Sequence, residues 1–265
     1  MTTLGELIAT GTRSTVHALG TDMVAKVPLA TTPDAWIRHE AMYTQAVRAA
    51  GAPAPRVVDV VEIDGRTVSL YERVRGASMW EYILAHPGEA TAMGERLAEL
   101  HVEVLRLAPP ITLPRQRDRL AGKIRIAASV VDPAIHAVLA QIPPDPDRLH
   151  LCHGDVHPGN VILSGAGPVL IDWFDACRGN PAGDIARTQL LIGAGGATVA
   201  SVVHLPEAQF DVLNRLHRAY ADAAAAAFTT STADMELWRG IEAAARLGEG
   251  LDTRELLAVW RSTAS

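Results

Sequence analysis

The chain has 265 residues, 48% of them apolar, enough for a sizeable core in one large or two small domains. A formal charge of -6 argues against a nucleic-acid binder, which would carry a basic stripe, and no run of eighteen uncharged apolar residues suggests a membrane span. Two cysteines, Cys152 and Cys177, and no basic apolar leader at Met1–Gly11 point to a reducing, cytoplasmic setting.

In chain order, Val16–Leu19 and Met23–Val27 flank Gly20-Thr21-Asp22 as a first hairpin. Thr32-Pro33-Asp34 then reads as a helix start, with Pro33 at the first helical position, where its missing N–H costs nothing. Val57–Ile63 and Thr67–Val74 around Asp64-Gly65 form a second hairpin. From about Glu89 the pattern turns helical, Met93, Leu97, Leu100 and Val104 sharing one face, and two helices are expected before residue 140. After the break at Pro143–Pro146, a short hairpin pairs Val161–Leu163 with Val169–Ile171 around Gly165-Ala166-Gly167. From Asp184 onward the chain is mostly helical; Gly193-Ala194-Gly195-Gly196 lacks a following Lys-Ser/Thr, so it reads as a turn and not a phosphate loop. The expectation is an α+β chain of two lobes, with a strand-rich lobe at 1–75, a hinge near 72–76 and a helical lobe at 77–265. A cleft between lobes is a common nucleotide site.

The most informative segment is His153-Gly154-Asp155-Val156-His157-Pro158-Gly159-Asn160, followed by the hairpin ending Ile171-Asp172-Trp173. Phosphoryl transfer needs a carboxylate to accept a hydroxyl proton and further oxygen ligands to hold magnesium against the phosphates. Asp155, Asn160 and Asp172 supply those groups in type. A zinc hydrolase built on Cys152, His153, Asp155 and His157 is an alternative, since these residue types ligate zinc and alternation would put three of them on one side. It leaves Asn160, Asp172 and the strand-rich lobe without a role.

Lys26 and Lys123 are the only lysines, and Lys26 lies in a strand. Glu40 falls on the helical face of Trp36, Tyr43 and Val47, where an unpaired carboxylate would be expensive, so Lys26 is its natural partner.

These motifs resemble the aminoglycoside phosphotransferase family, which shares the protein-kinase fold and carries a His-Gly-Asp loop ending in Asn, then Ile-Asp-Phe or Ile-Asp-Trp. The likeness continues through Gly179-Asn180-Pro181-Ala182-Gly183-Asp184, where the family has a turn and an Asp opening a helix. The resemblance implies Asp155 as catalytic base, Asn160 and Asp172 as magnesium ligands, and His153 and Asp184 as structural braces. It implies that Lys26 and Glu40 serve the ATP phosphates, and that Gly11, Ser14 and Thr15 occupy the place of the phosphate-covering loop, here poor in glycine. Glu72 and Val74 would lie in the hinge that offers backbone groups to the base of ATP, or of GTP.

Only eleven residues separate Asp172 from Asp184 and no Ala-Pro-Glu follows, which disfavours a protein substrate and points to a small-molecule acceptor. After Trp173 the acidic residues, among them Asp175, Glu207, Asp211, Glu249, Asp252 and Glu255, outnumber the arginines, suiting a cationic acceptor such as an aminoglycoside, with Asp175 the named contact. The wider family also phosphorylates macrolides, cyclic peptide antibiotics, choline, homoserine and sugars, so antibiotic resistance and a metabolic kinase are both open.

Overall fold

A computed structural model describes residues 4–193, 210–228, 230–249 and 253–263. Ala194–Gly196, Glu207 and Asp252 lie outside the described residues, as does the side chain of Glu255.

The first region is an antiparallel five-stranded sheet in the order β1-β2-β3-β5-β4, with β1 at Leu7–Thr10, β2 at Ser14–Leu19, β3 at Met23–Pro28, β4 at Val57–Ile63 and β5 at Arg66–Glu72. Both hairpins form where expected. Between β4 and β5, Asp64 and Gly65 take φ of 51° and 74°, the double positive φ that a two-residue hairpin turn requires and that Asp-Gly adopts at low cost. Helix α1 (Asp34–Ala49) connects β3 to β4. Pro33 is the N-cap and not the first helical residue: its ψ of 139° is still extended, and a proline's fixed φ serves either place. Ala25, Val68 and Leu70 form this region's own small core.

The chain leaves the sheet at Glu72 and enters β6 (Gly76–Ser78), which pairs with β8 (Val161–Ser164), itself paired with β9 (Gly167–Leu170). Helix begins earlier than expected, at α2 (Met79–Ala85). Its start is a capping box, Glu81 N–H donating to Ser78 Oγ at 3.1 Å and Ser78 N–H to the Glu81 carboxylate at 2.7 Å, a Ser-x-x-Glu signal present in the sequence but passed over.

Helices α3 (Ala90–Arg106), α4 (Gln116–Val130), α5 (Pro181–Ile192), α6 (Phe210–Ala227), α7 (Thr232–Arg246) and α8 (Thr253–Thr263) build the larger region. A two-stranded ribbon pairs β7 (His150–Cys152) with β10 (Cys177–Gly179). One apolar cluster joins Leu97 of α3, Leu216 of α6 and the fully buried Trp173. A second joins Ile124, Trp238, Ile241 and Trp260 between α4, α7 and α8. The segment Leu151–Asp184 threads between these cores, so its polar side chains start from rigid backbone. Among the described residues no helix is long and apolar enough to cross a membrane.

Candidate active site

The loop after β7 is held by one carboxylate. Asn180 caps α5 by accepting from Ala182 N–H at 2.9 Å, which sets Asp184 in the first turns of that helix. There the Asp184 oxygens accept from the backbone N–H groups of His153 and Gly154, each at 2.7 Å, and from His101 Nε2 at 3.0 Å. Burial alone would raise the Asp184 carboxyl, but His101 and the loop donors outweigh it and hold the group below its ordinary range. Gly154 takes φ of 79°, and a Cβ there would collide with the Asp175 carbonyl, so glycine is required. His153 is wholly buried: its Nδ1 accepts from Asp155 N–H at 3.1 Å, which leaves Nε2–H to donate to the Ile171 carbonyl at 3.1 Å. Burial keeps this imidazole neutral. It ties the loop to the strand end that carries Asp172.

The expected residues then meet. Asn160 Nδ2 donates to the Asp155 carbonyl at 2.9 Å and lies 3.3 Å from its Oδ2, so the amide oxygen of Asn160 is left for another partner. Asp172 adopts a left-handed φ of 64°, uncommon away from glycine, and its Oδ1 lies 3.3 Å from Lys26 Nζ. Lys26 Nζ reaches Glu40 at 2.5 Å. Burial would lower the lysine's pKa, but Asp172 and Glu40 outweigh it, raise it, and keep the ammonium charged. Glu40 is buried with Ile37, Ala41, Thr44 and Val47, whereas Trp36 is 42% exposed, so the buried face is rotated slightly from the expected one.

Lys26, Glu40, Asn160 and Asp172 line a cleft of about 560 Å³ between the sheet and the helical region, and Asp155 lines an adjoining pocket that shares Lys26, Glu40 and Asp172 with it. The cleft's apolar wall includes Val16, Val24, Tyr71, Ile162 and Ile171; Glu72 and Val74 lie along one edge, and Gly11 and Ser14 along another. Thr15 is not on the wall: its hydroxyl bonds His17 Nε2 at 3.0 Å within the sheet. The Gly11–Ser14 turn closes on itself through Gly11 N–H to the Ser14 carbonyl at 2.8 Å. Arg13 at its tip stacks over Phe174, 4.4 Å from the ring centre, and Phe174 meets Trp36 at 5.3 Å. The sheet's loop is thus strapped to the turn that follows Asp172, a contact that sequence spacing did not reveal.

Asp175 differs from the expectation. It is 4% exposed and its carboxylate meets Arg119, Lys123 at 2.8 Å and Arg187 at 3.4 Å. With three cations on it, the carboxyl falls far below its ordinary range despite burial, and the group is not free for an incoming ammonium. Arg187, His101 and Tyr220, which donates its hydroxyl hydrogen toward His101 Nδ1 at 2.7 Å, were not singled out by the sequence reading. The zinc alternative is not supported: among the described residues no three His, Cys, Asp or Glu side chains gather for a metal. Both nitrogens of His153 are already spent, and Cys152 lies buried opposite Cys177 across the ribbon.

Oxygen donors suit magnesium, and the donor set fits it: Asn160 keeps a free amide oxygen and the Asp172 side chain is 42% exposed toward the cleft.

Comparison with known proteins agrees with this geometry. The sequence model of the phosphotransferase enzyme family, APH, matches residues 5–203. No curated protein matches the chain. Among solved structures, an aminoglycoside-3'-phosphotransferase of type VIII is similar with a TM-score of 0.63 at 19% identity, covering 91% of each chain. A choline/ethanolamine kinase family protein from Mesorhizobium loti gives 0.54 at 17% identity, over 98% of this chain and 85% of its own. The streptomycin–ATP–APH(2")-IIa ternary complex gives 0.53 at 14% identity, over 98% and 91%. These likenesses establish the bilobal, protein-kinase-like fold.

Proposed function

The chain belongs to the phosphotransferase enzyme family, and from that premise we propose that it transfers the γ-phosphate of ATP, or of GTP, to a hydroxyl of a small molecule in the cytoplasm. The observation that carries the reading is the convergence of Lys26 of β3 and Glu40 of α1 with Asp155, Asn160 and Asp172 on two adjoining pockets that share Lys26, Glu40 and Asp172. Residues 72–76 serve as hinge between lobes 1–75 and 77–265, with the nucleotide base against the apolar wall beside Glu72 and Val74.

Lys26, fixed by Glu40, pairs with phosphate oxygens; Gly11 and Ser14 cover them. Asn160 and Asp172 would hold magnesium, which neutralises phosphate charge when bound. The acceptor oxygen forms its bond to the γ-phosphorus as the bond from phosphorus to the β–γ bridging oxygen breaks. The hydroxyl proton passes to the ionised Asp155 carboxylate. Burial works against that ionisation, and Arg187 and His157 more than offset it, holding the Asp155 carboxyl below its ordinary range. A weak base suits this reaction, because little bond to the acceptor exists when the proton begins to move.

For the acceptor we favour an aminoglycoside or related antibiotic, by likeness to the neighbours named for such activity. A metabolic kinase of the choline or ethanolamine type is the second reading, supported by likeness to one solved structure; the neutralised Asp175 does not separate the two, since choline and ethanolamine also carry a cationic nitrogen. Magnesium- and ATP-dependent phosphate transfer to kanamycin, streptomycin, choline and ethanolamine separates the two. Asp155→Ala is expected to lower kcat by about 10²–10⁴-fold while nucleotide affinity barely changes. Wild-type turnover in that variant would remove Asp155 from the chemistry.

A further inference from the structure

One face of α5 grips the catalytic loop twice. Asp184 takes its backbone N–H groups, and Arg187, three residues on and so on the same face, reaches the Asp155 side chain with Nη2 3.1 Å from Oδ1. Arg187 is 5% exposed, so this cation is not a surface pairing that water would screen.

Its other contacts fix the guanidinium in place. Nη2 also meets Asp175 at 3.4 Å, Nη1 meets Glu249 at 3.2 Å, and Glu242 of α7 lies 4.0 Å away. Those carboxylates are held in turn by Arg119 and Lys123 of α4 and by Arg246 of α7. Taking so many charges out of water is costly, and an apolar set of similar volume would hold the fold as well or better. Arg187 Nε is buried without a hydrogen-bond partner among the described residues, a further cost. What an apolar side chain could not do is bond Asp155. That carboxylate is braced on its other oxygen by Asn160 Nδ2 at 3.3 Å, with His157 Nε2 at 3.8 Å, so it is held from both sides.

We propose that Arg187 is a positioning residue for phosphoryl transfer, fixing the orientation of the Asp155 carboxylate that receives the acceptor's proton. This rests on the reading of Asp155 as base. Without Arg187, Asp155 Oδ1 loses the guanidinium at 3.1 Å and the carboxylate is held from one side only, by Asn160 and His157.

The test uses the full-length enzyme with whichever of the four acceptors it turns over and, in every case, the slow hydrolysis of ATP with water as acceptor. Arg187→Gln is expected to lower kcat by about 100-fold, as for a displaced catalytic group, with the nucleotide KM within twofold. Arg187→Lys, which keeps the charge balance and is the variant expected to fold most readily, recovers only part of kcat, since it lacks the planar fork. If Arg187→Gln melts because Glu242 loses its ion pair, the Arg187→Gln/Glu242→Gln pair takes its place. A folded variant lacking the cation, with wild-type kcat, overturns the positioning role. Full activity in Asp155→Ala would instead overturn the base reading beneath it.

Discussion

The two walls of the cleft each set a buried cation against carboxylates, but to different ends. On the sheet side, Lys26 joins Glu40, 7% exposed, to Asp172, 42% exposed, so one partner is buried scaffold and the other faces the cleft. On the helical side, Arg187 meets Asp155 at 27% exposure, the buried Asp175 and Glu242, and Glu249 at 19% exposure. The first cation can exchange a carboxylate for a phosphate oxygen when nucleotide enters. The second is held from behind and can only fix what it touches. The same pair of charges is therefore a binding group on one wall and a brace on the other, and depth decides which.

Of Lys26, Asp184 and Glu242, breaking the first wall at Lys26 should give the largest effect. If Lys26 pairs with phosphate as proposed, Lys26→Ala removes a charge-assisted contact, about 1.5–3 kcal/mol, and should raise the nucleotide KM by roughly 10–100-fold. Glu40→Gln should raise it less, because the ammonium remains but is no longer aimed. Steady-state kinetics with varied ATP checks both, and an unchanged KM in Lys26→Ala would show that the lysine never meets the nucleotide.

The brace is sharpened by Asp184→Asn, which keeps shape but loses the charge that two backbone donors and His101 address. A loss of about 1–3 kcal/mol is expected near neutral pH, read by thermal melting. Its sign with pH follows from the depressed carboxyl: the native stability from Asp184 is present above the carboxyl's unfolded value and is lost as pH falls through the folded one. The gap between variant and parent should therefore shrink in acid.

How much of this was readable in sequence follows the same division. Asp155, Asn160 and Asp172 sit at short spacings on one continuous segment, so local motif logic reached them; Asp184 came only from the family resemblance, and Lys26 with Glu40 was reached because a carboxylate on an apolar helix face demands a cation. Both hairpins were legible because Asp64-Gly65 and Gly20-Thr21-Asp22 are turn sequences. The Arg187 brace was not, since its partners come from Asp155, Asp175 and Glu249, and no local period links one buried arginine to carboxylates that only tertiary packing brings near. For the same reason Asp175 was taken as a ligand contact: its position beside Asp172 is visible in the chain, while the cations that neutralise it lie more than fifty positions upstream on α4 and twelve downstream on α5.

The smallest effect tests the brace from its far side. Glu242, its side chain 4% exposed, is pushed up to about 7 by burial, against the pull of Arg187, Lys123 and Arg119 and with Asp184 adding to the rise. A carboxyl raised in the folded state lends stability that is whole below its unfolded value and is lost as pH climbs through the folded one. Ionised Glu242 is thus a burden above pH 7, on the order of 1–3 kcal/mol for a rise from 4.5 to about 7. Glu242→Gln, which imitates the protonated form, should melt higher than the parent at pH 8 and match it near pH 5. Because Glu242 lies 4.0 Å from Arg187 and does not touch Asp155, kcat should change far less than in Arg187→Gln. A variant that melts lower at pH 8 would show that ionised Glu242 supports the cluster, and that the anchoring of Arg187 depends on it as much as on Asp175 and Glu249.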